Sequence, residues 1–222
     1  MLDERGYDRR RAALAEELRE KGITDERVLE AVRRVPRHLF VDTALRARAY
    51  RDEALPIGLG QTISQPFTVA TQTVLLGVRP GDRVLEVGTG SGYQAAVLCE
   101  MGARVYSIER HAPLAERTLA LLATLGYAIT ARVGDGTLGW PEHAPFDAVV
   151  VTAGGIGVPD PLLKQLRKPG PARGGDRPGG VLVIPVGGPD GQTMQRITRT
   201  GEAAFEAESL GAFRFVPLVR GG

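Results

Sequence analysis

The segment LEVGTGSG, residues 85–92, places Gly88, Gly90 and Gly92 at alternate positions. Glycines where a strand turns into a helix let a ligand approach the backbone closely, because any Cβ there would occupy its space. The spacing is GxGxG, and Tyr93 stands where the third glycine of the GxGxxG dinucleotide fingerprint would fall, which weakens a nicotinamide reading. No lysine closes the loop, so a triphosphate P-loop is excluded. Carboxylates recur at matching places. Glu86 lies two residues before the turn, suited to a ligand's ammonium. Glu109 ends the next apolar run, where a carboxylate can accept from both hydroxyls of an adenosine ribose. Asp135, with Gly136 beside it in GDG 134–136, suits an adenine amino group. Taken singly, each acid also reads as a solvated loop residue and each glycine as a tight turn. Taken in register, they predict an adenosine-bearing cofactor.

The elements that would hold these residues follow from apolar periodicity. RVLEVG (83–88), ARVYSIE (103–109), AITARVG (128–134), DAVVVTA (147–153) and GVLVIPVG (180–187) read as strands. SGYQAAVLCEM, APLAERTLALLATL and PDPLLKQLR read as the helices between them. Valine-rich strands alternating with helices predict an α/β doubly wound, mostly parallel Rossmann-like sheet. TMQRITRT and AFEAESLGAFRFVPLV lack an intervening helix and predict an antiparallel hairpin at the C-terminal edge. At the other end, Arg5 to Glu20 predict an amphipathic helix, and Thr24 is placed to cap a second one that ends before Pro36. Arg33, Arg34 and Arg37 read as part of a solvated helix face. KPGPARGGDRPG (168–179) reads as a flexible surface loop.

Composition narrows the class. With 222 residues, 43% hydrophobic and 24% charged, the chain is an ordinary globular one. A net charge of +2 argues against a dedicated nucleic-acid binder. The one cysteine, Cys99, excludes an internal disulfide and a cysteine-built zinc site, and it reads as helix core. No metal is expected. The charged N-terminus and the lack of a long apolar run predict a soluble, cytoplasmic protein without membrane association.

LEVGTGSGYQAAVLCEMGARVYSIER resembles the first two motifs of class I S-adenosylmethionine-dependent methyltransferases. LPIGLGQTISQPFTVATQTVLL (55–76) resembles the signature segment of the protein-L-isoaspartate O-methyltransferase family. GDGTLGWPEHAPFDAVVVTAG, GGVLVIPVG and FRFVPLV resemble its later motifs. The resemblance implies transfer of a methyl group from S-adenosylmethionine to the free α-carboxylate of L-isoaspartyl residues in damaged proteins and peptides. The cofactor would leave as S-adenosylhomocysteine, and the ester would cyclise to a succinimide that partly hydrolyses to normal aspartate. The family's catalytic serine maps onto Ser64, with Thr62, Ile63 and nearby amides holding the acceptor carboxylate. Trp140 and Pro141 read either as a loop wall near the adenine or as surface packing. Length and element pattern predict one domain over 1–222: a helical segment (1–78) carrying the substrate loop, a cofactor core (79–187) and the hairpin (188–222). It would act as a monomer. The rival enzyme class is a methyltransferase of RNA or small molecules. TAGG (152–155) does not match the Asn/Asp-Pro-Pro-aromatic segment of amino-methylating enzymes, and clustered acids for a magnesium-dependent enzyme are absent there. The remaining alternative is a non-catalytic cofactor-binding protein.

Overall fold

The computed structural model describes residues 4–172, 175–188 and 190–219. Helices α1 (Glu4–Glu20) and α2 (Glu26–Arg34) come first, followed by short 3-10 turns at Arg37–Phe40 and Thr43–Arg48. Asp25, not Thr24, caps α2: its carboxylate accepts from Arg27 N at 2.9 Å. A small hairpin of β1 (Leu55–Gly58) and β2 (Gln61–Ile63) leads into α3 (Pro66–Leu76). Pro66 suits the first turn of α3, and Asp52 accepts from the next free amide, Phe67 N, at 2.8 Å.

The core then alternates β3 (Arg83–Val87), α4 (Tyr93–Glu100), β4 (Arg104–Glu109), α5 (Ala112–Thr124), β5 (Thr130–Val133), β6 (Ala148–Val151) and α6 (Asp160–Lys164). After a ribbon of β7 (Gly170–Ala172) and β8 (Gly175–Arg177) come β9 (Val181–Gly188), β10 (Gly191–Arg199) and β11 (Phe205–Phe213). The seven-stranded sheet runs β11-β10-β9-β6-β3-β4-β5. β5, β4, β3, β6 and β9 are parallel, and β10 and β11 complete an antiparallel edge as the sequence predicts. The chain leaves β3 in one direction and comes back on its other side as β6, so a crevice opens at the carboxyl ends of these two strands.

Alternation along the strands sorts the core into two layers. Val84, Val105, Ala148, Val150, Val181 and Val183 pack with α1 to α4, and this cluster reaches from Tyr7 to Met194. Leu85, Val87, Val149, Val151, Leu182 and Ile184 pack on the other face with Trp140, Phe146, Leu162 and Leu166. The 170s segment departs from the expectation of a loop. Its described residues form the β7–β8 ribbon, and Arg177 pairs with Asp82 at 2.8 and 3.1 Å and approaches Asp147 at 3.6 Å. Both acids precede strands, β3 and β6, so Arg177 ties the ribbon to the end of the sheet opposite the crevice.

Candidate active site

Two cavities meet over the crevice. One, of about 300 Å³, is bordered by Gly88, Gly90, Glu109, Gly134 and Gly136 and closed by Val216 to Val219. The other, of about 500 Å³, is bordered by Ser64, Phe67, Asp190, Arg214 and Phe215. Thr62, Thr152 and Val216 border both. Beneath them lies a chamber of about 40 Å³ reaching Ser64, Gln72, Glu86 and Gln94.

Glu86 sits on the sheet face packed by α3 and α4, in register with Ser107 of β4. It is completely buried, and its Oε2 accepts from Ser107 Oγ at 2.5 Å, which in turn meets Thr89 Oγ1 at 2.7 Å. Oε1 has no partner. Burial pushes the carboxyl up to about 8 against the pull of the Ser107 hydrogen bond, and nearby Glu109 adds to the rise. An orphaned carboxylate oxygen under the glycine loop fits a cationic ligand group arriving from above.

Glu109 is 5% exposed and holds the loop itself. Its Oε2 accepts from Gly90 N at 2.8 Å, and Oε1 from Arg110 N at 2.8 Å and His111 N at 3.0 Å. A carboxylate takes about four such bonds, which leaves acceptor capacity beside the cavity for a ribose hydroxyl. Asp135 caps the 3-10 turn Gly136–Leu138, accepting from Thr137 N at 2.8 Å and Thr137 Oγ1 at 2.7 Å. Its side chain borders a neighbouring hollow with Leu138 and Val158, while Gly134 and Gly136 face the 300 Å³ cavity.

The glycines divide by cause. At Gly88 a Cβ would meet Thr152 Oγ1 at 2.5 Å, and at Gly136 it would meet Val87 Cγ1 at 2.4 Å. At Gly92, with φ at +85°, it would meet Thr118 Cγ2 at 2.7 Å. These three are required by the protein's own packing. Gly90 differs, since a Cβ there finds nothing nearer than Ile57 Cδ1 at 3.9 Å, so its open side is available to a ligand.

The hairpin delivers Thr62 exposed, Ile63 2% exposed in the core and Ser64 half-buried. Ile63 therefore offers the cleft its backbone rather than its side chain. Three residues depart from their sequence expectation. Trp140 packs against Tyr106, His143 and Arg132 in the second core layer rather than lining the cofactor cavity. Arg37 is fully buried, not on a solvated face. Thr152, which the sequence left inside TAGG, borders every part of the cleft. An arginine inside the apolar run VPRHLF was the available signal for Arg37; a threonine just beyond a buried strand gives none. Cys99, in α4, is partly buried against the core rather than inside it, and burial pushes its thiol up to about 12. No group of metal-binding side chains occurs among the described residues, and none of their helices is long and apolar enough to cross a membrane.

The switch-point crevice, the glycine loop and the acid ending β4 define a Rossmann-like methyltransferase. Residues 9–222 match the family model described as protein-L-isoaspartate(D-aspartate) O-methyltransferase. The chain is 64% identical over 219 residues to the protein-L-isoaspartate O-methyltransferase of Salinibacter ruber, covering 98% of this chain and 94% of that one. It is 53% identical over 215 residues to that of Methylorubrum populi, covering 96% and 97%. A solved protein-L-isoaspartate O-methyltransferase superposes with a TM-score of 0.82 at 26% identity, over 96% of this chain and 66% of that one. A Plasmodium falciparum beta-aspartate methyltransferase structure, in complex with S-adenosyl-L-homocysteine, shares the fold with a TM-score of 0.76 at 24% identity, over 95% and 98% of the two chains. The chain belongs to the protein-L-isoaspartate(D-aspartate) O-methyltransferase family.

Proposed function

We propose that the two cavities bring S-adenosylmethionine and an L-isoaspartyl segment of a damaged protein together across Thr62 and Thr152, with Ser64 orienting the acceptor. The observation that carries this is the meeting of a glycine-and-acid cavity and a Ser64 cavity at those shared threonines. S-adenosylmethionine, when bound, supplies an electrophilic methyl group on a sulfonium sulfur. Glu86 would hold its ammonium, Glu109 a ribose hydroxyl, the backbone of Gly88 and Gly90 its chain, and Gly134 to Gly136, with Asp135, the adenine side.

The acceptor α-carboxylate is ionised at neutral pH, so no residue has to remove a proton. What remains is alignment, and holding two reactants in line supplies as much as about 7 to 11 kcal/mol. Ser64 and Thr62 donate hydroxyls to the carboxylate, leaving one oxygen facing the shared wall. A serine without an adjacent histidine base suits this donor role better than nucleophilic attack. Phe67, Phe213 and Phe215 line the acceptor side and help to exclude water. The product ester cyclises to a succinimide, and its hydrolysis returns part of the damage as normal aspartate. A fold that reads backbone and carboxylate accepts exposed isoaspartyl segments in many proteins. The core cluster spanning Tyr7 to Met194 supports reading helices, cofactor core and edge hairpin as one unit.

The test uses one peptide in isoaspartyl and aspartyl forms with methyl-labelled cofactor, and tRNA as a control. Label should enter the isoaspartyl form alone; equal labelling of both peptides, or of tRNA only, defeats the reading. A hydrogen bond to a charged group is worth about 1.5–3 kcal/mol, so Ser64→Ala should slow turnover about ten- to 150-fold. Turnover at the wild-type rate would remove Ser64 from the assignment.

A further inference from the structure

Arg37 stands between the Ser64 loop and the helix that follows the glycine loop. Its side chain is fully buried, where a cation is costly unless its donors are used; Nε and Nη2 are used, and Nη1 makes no hydrogen bond. Nε donates to Ala49 O at 2.8 Å. Nη2 donates to Ser64 O at 2.7 Å and reaches Glu53 O at 3.4 Å. The guanidinium carbon lies 4.7 Å from the centroid of the Tyr93 ring, and Tyr93 is the first residue of α4. Burial pushes the guanidinium pKa down from its ordinary value, yet arginine stays charged in proteins. Its hydrogen-bonded partners are the carbonyls of Ala49 and Glu53, before β1, and of Ser64, just after β2, so what this cation fixes is the path of the chain on either side of that hairpin. Ser64 directly follows the three-residue strand Gln61–Ile63, so its carbonyl is held by Arg37 where the ladder stops.

We propose that Arg37 is a positioning residue for methyl transfer: its Nη2, donating to the Ser64 carbonyl while the guanidinium lies over the Tyr93 ring, sets the direction in which the Ser64 hydroxyl meets the acceptor carboxylate. The inference rests on the reading of Ser64 given above. The same guanidinium lies over Tyr93, the first residue of α4, so it braces the Ser64 loop against that helix. A planar fork that stacks on an aromatic face is something a lysine cannot reproduce.

Arg37→Lys is the direct test. Its kcat/KM on an isoaspartyl peptide should fall about ten- to 100-fold, mainly through kcat, while the calorimetric Kd for S-adenosylhomocysteine keeps its wild-type value. Arg37→Ala should regain part of its rate when guanidinium ion is added at millimolar concentration. In the double variant Arg37→Lys with Ser64→Ala, the second substitution should cost far less than it does alone, since one residue acts through the other. If Arg37→Lys does not fold, the same comparisons are read on Arg37→Met, which fills the space without charge. Wild-type kcat/KM, a matching loss of cofactor affinity, or losses that multiply in the double variant would overturn the inference. Ser64→Ala at the wild-type rate would instead overturn the reading beneath it, so the two failures are told apart.

Discussion

At the scale of single residues, Glu86 carries the clearest electrostatic signature. Its carboxyl titrates at about 8 in the fold, against an ordinary 4.5. The folded state therefore keeps a proton that the unfolded chain gives up between those values, and stability falls as pH rises through that window. Glu86→Gln should remove the fall: its melting temperature should exceed that of the wild type at about pH 9 and match it near pH 4. Cofactor affinity should move the other way. An ammonium favours the ionised acid, so wild-type affinity for S-adenosylhomocysteine should rise from about pH 6 to about pH 8, and Glu86→Gln should flatten that rise, as read by calorimetry. The acids were legible in the sequence because each ends or nearly ends an apolar run. What could not be read there was that Glu109 spends bonds on Gly90, Arg110 and His111, or that Asp135 turns toward Thr137. Those partners depend on loop geometry, which side-chain spacing does not encode.

At the scale of elements, Gly92 shows how a loop residue serves a helix–helix contact. It stands just before α4 in a left-handed conformation, facing Thr118 and Leu122 of α5. Gly92→Ala combines an unfavourable φ with a clash, and should cost about 2–4 kcal/mol in denaturant unfolding. Thr118→Ser removes the offending methyl while keeping the hydroxyl that donates to Gly90 O at 2.7 Å. The double variant should therefore recover the clash part and retain the conformational part. The parallel strands match their predicted runs to within about two residues at their ends: β3, β6 and β9 because valine-rich runs buried on both faces have few other solutions, and β5, an edge strand with Val133 exposed, because it follows α5 in the alternation. The helix α3 and the hairpin β1–β2 were not resolved as elements, because LPIGLGQTISQP mixes turn residues with too few alternating ones. The ribbon β7–β8 was hidden by its proline and glycine content, and its anchor, Arg177 on Asp82, joins residues ninety-five positions apart.

At the scale of the whole molecule, chemistry and anchoring occupy opposite ends of the sheet. Arg177→Gln takes the charge partner from Asp82, whose side chain is only 7% exposed, and should lower stability by about 1–3 kcal/mol. Because the pair lies at the ends of β3 and β6 away from the crevice, kcat/KM for isoaspartyl peptides should stay at the wild-type value; a large loss would show that the two ends communicate. The shared wall of Thr62, Thr152 and Val216 also bears on how the two reactants arrive. Each cavity is edged by its own exposed residues, Asp190 and Arg214 on one side and Arg110 and Val219 on the other. Two rims with one common wall give the small cofactor and the large protein substrate each an approach of its own, so neither has to pass through the other's mouth.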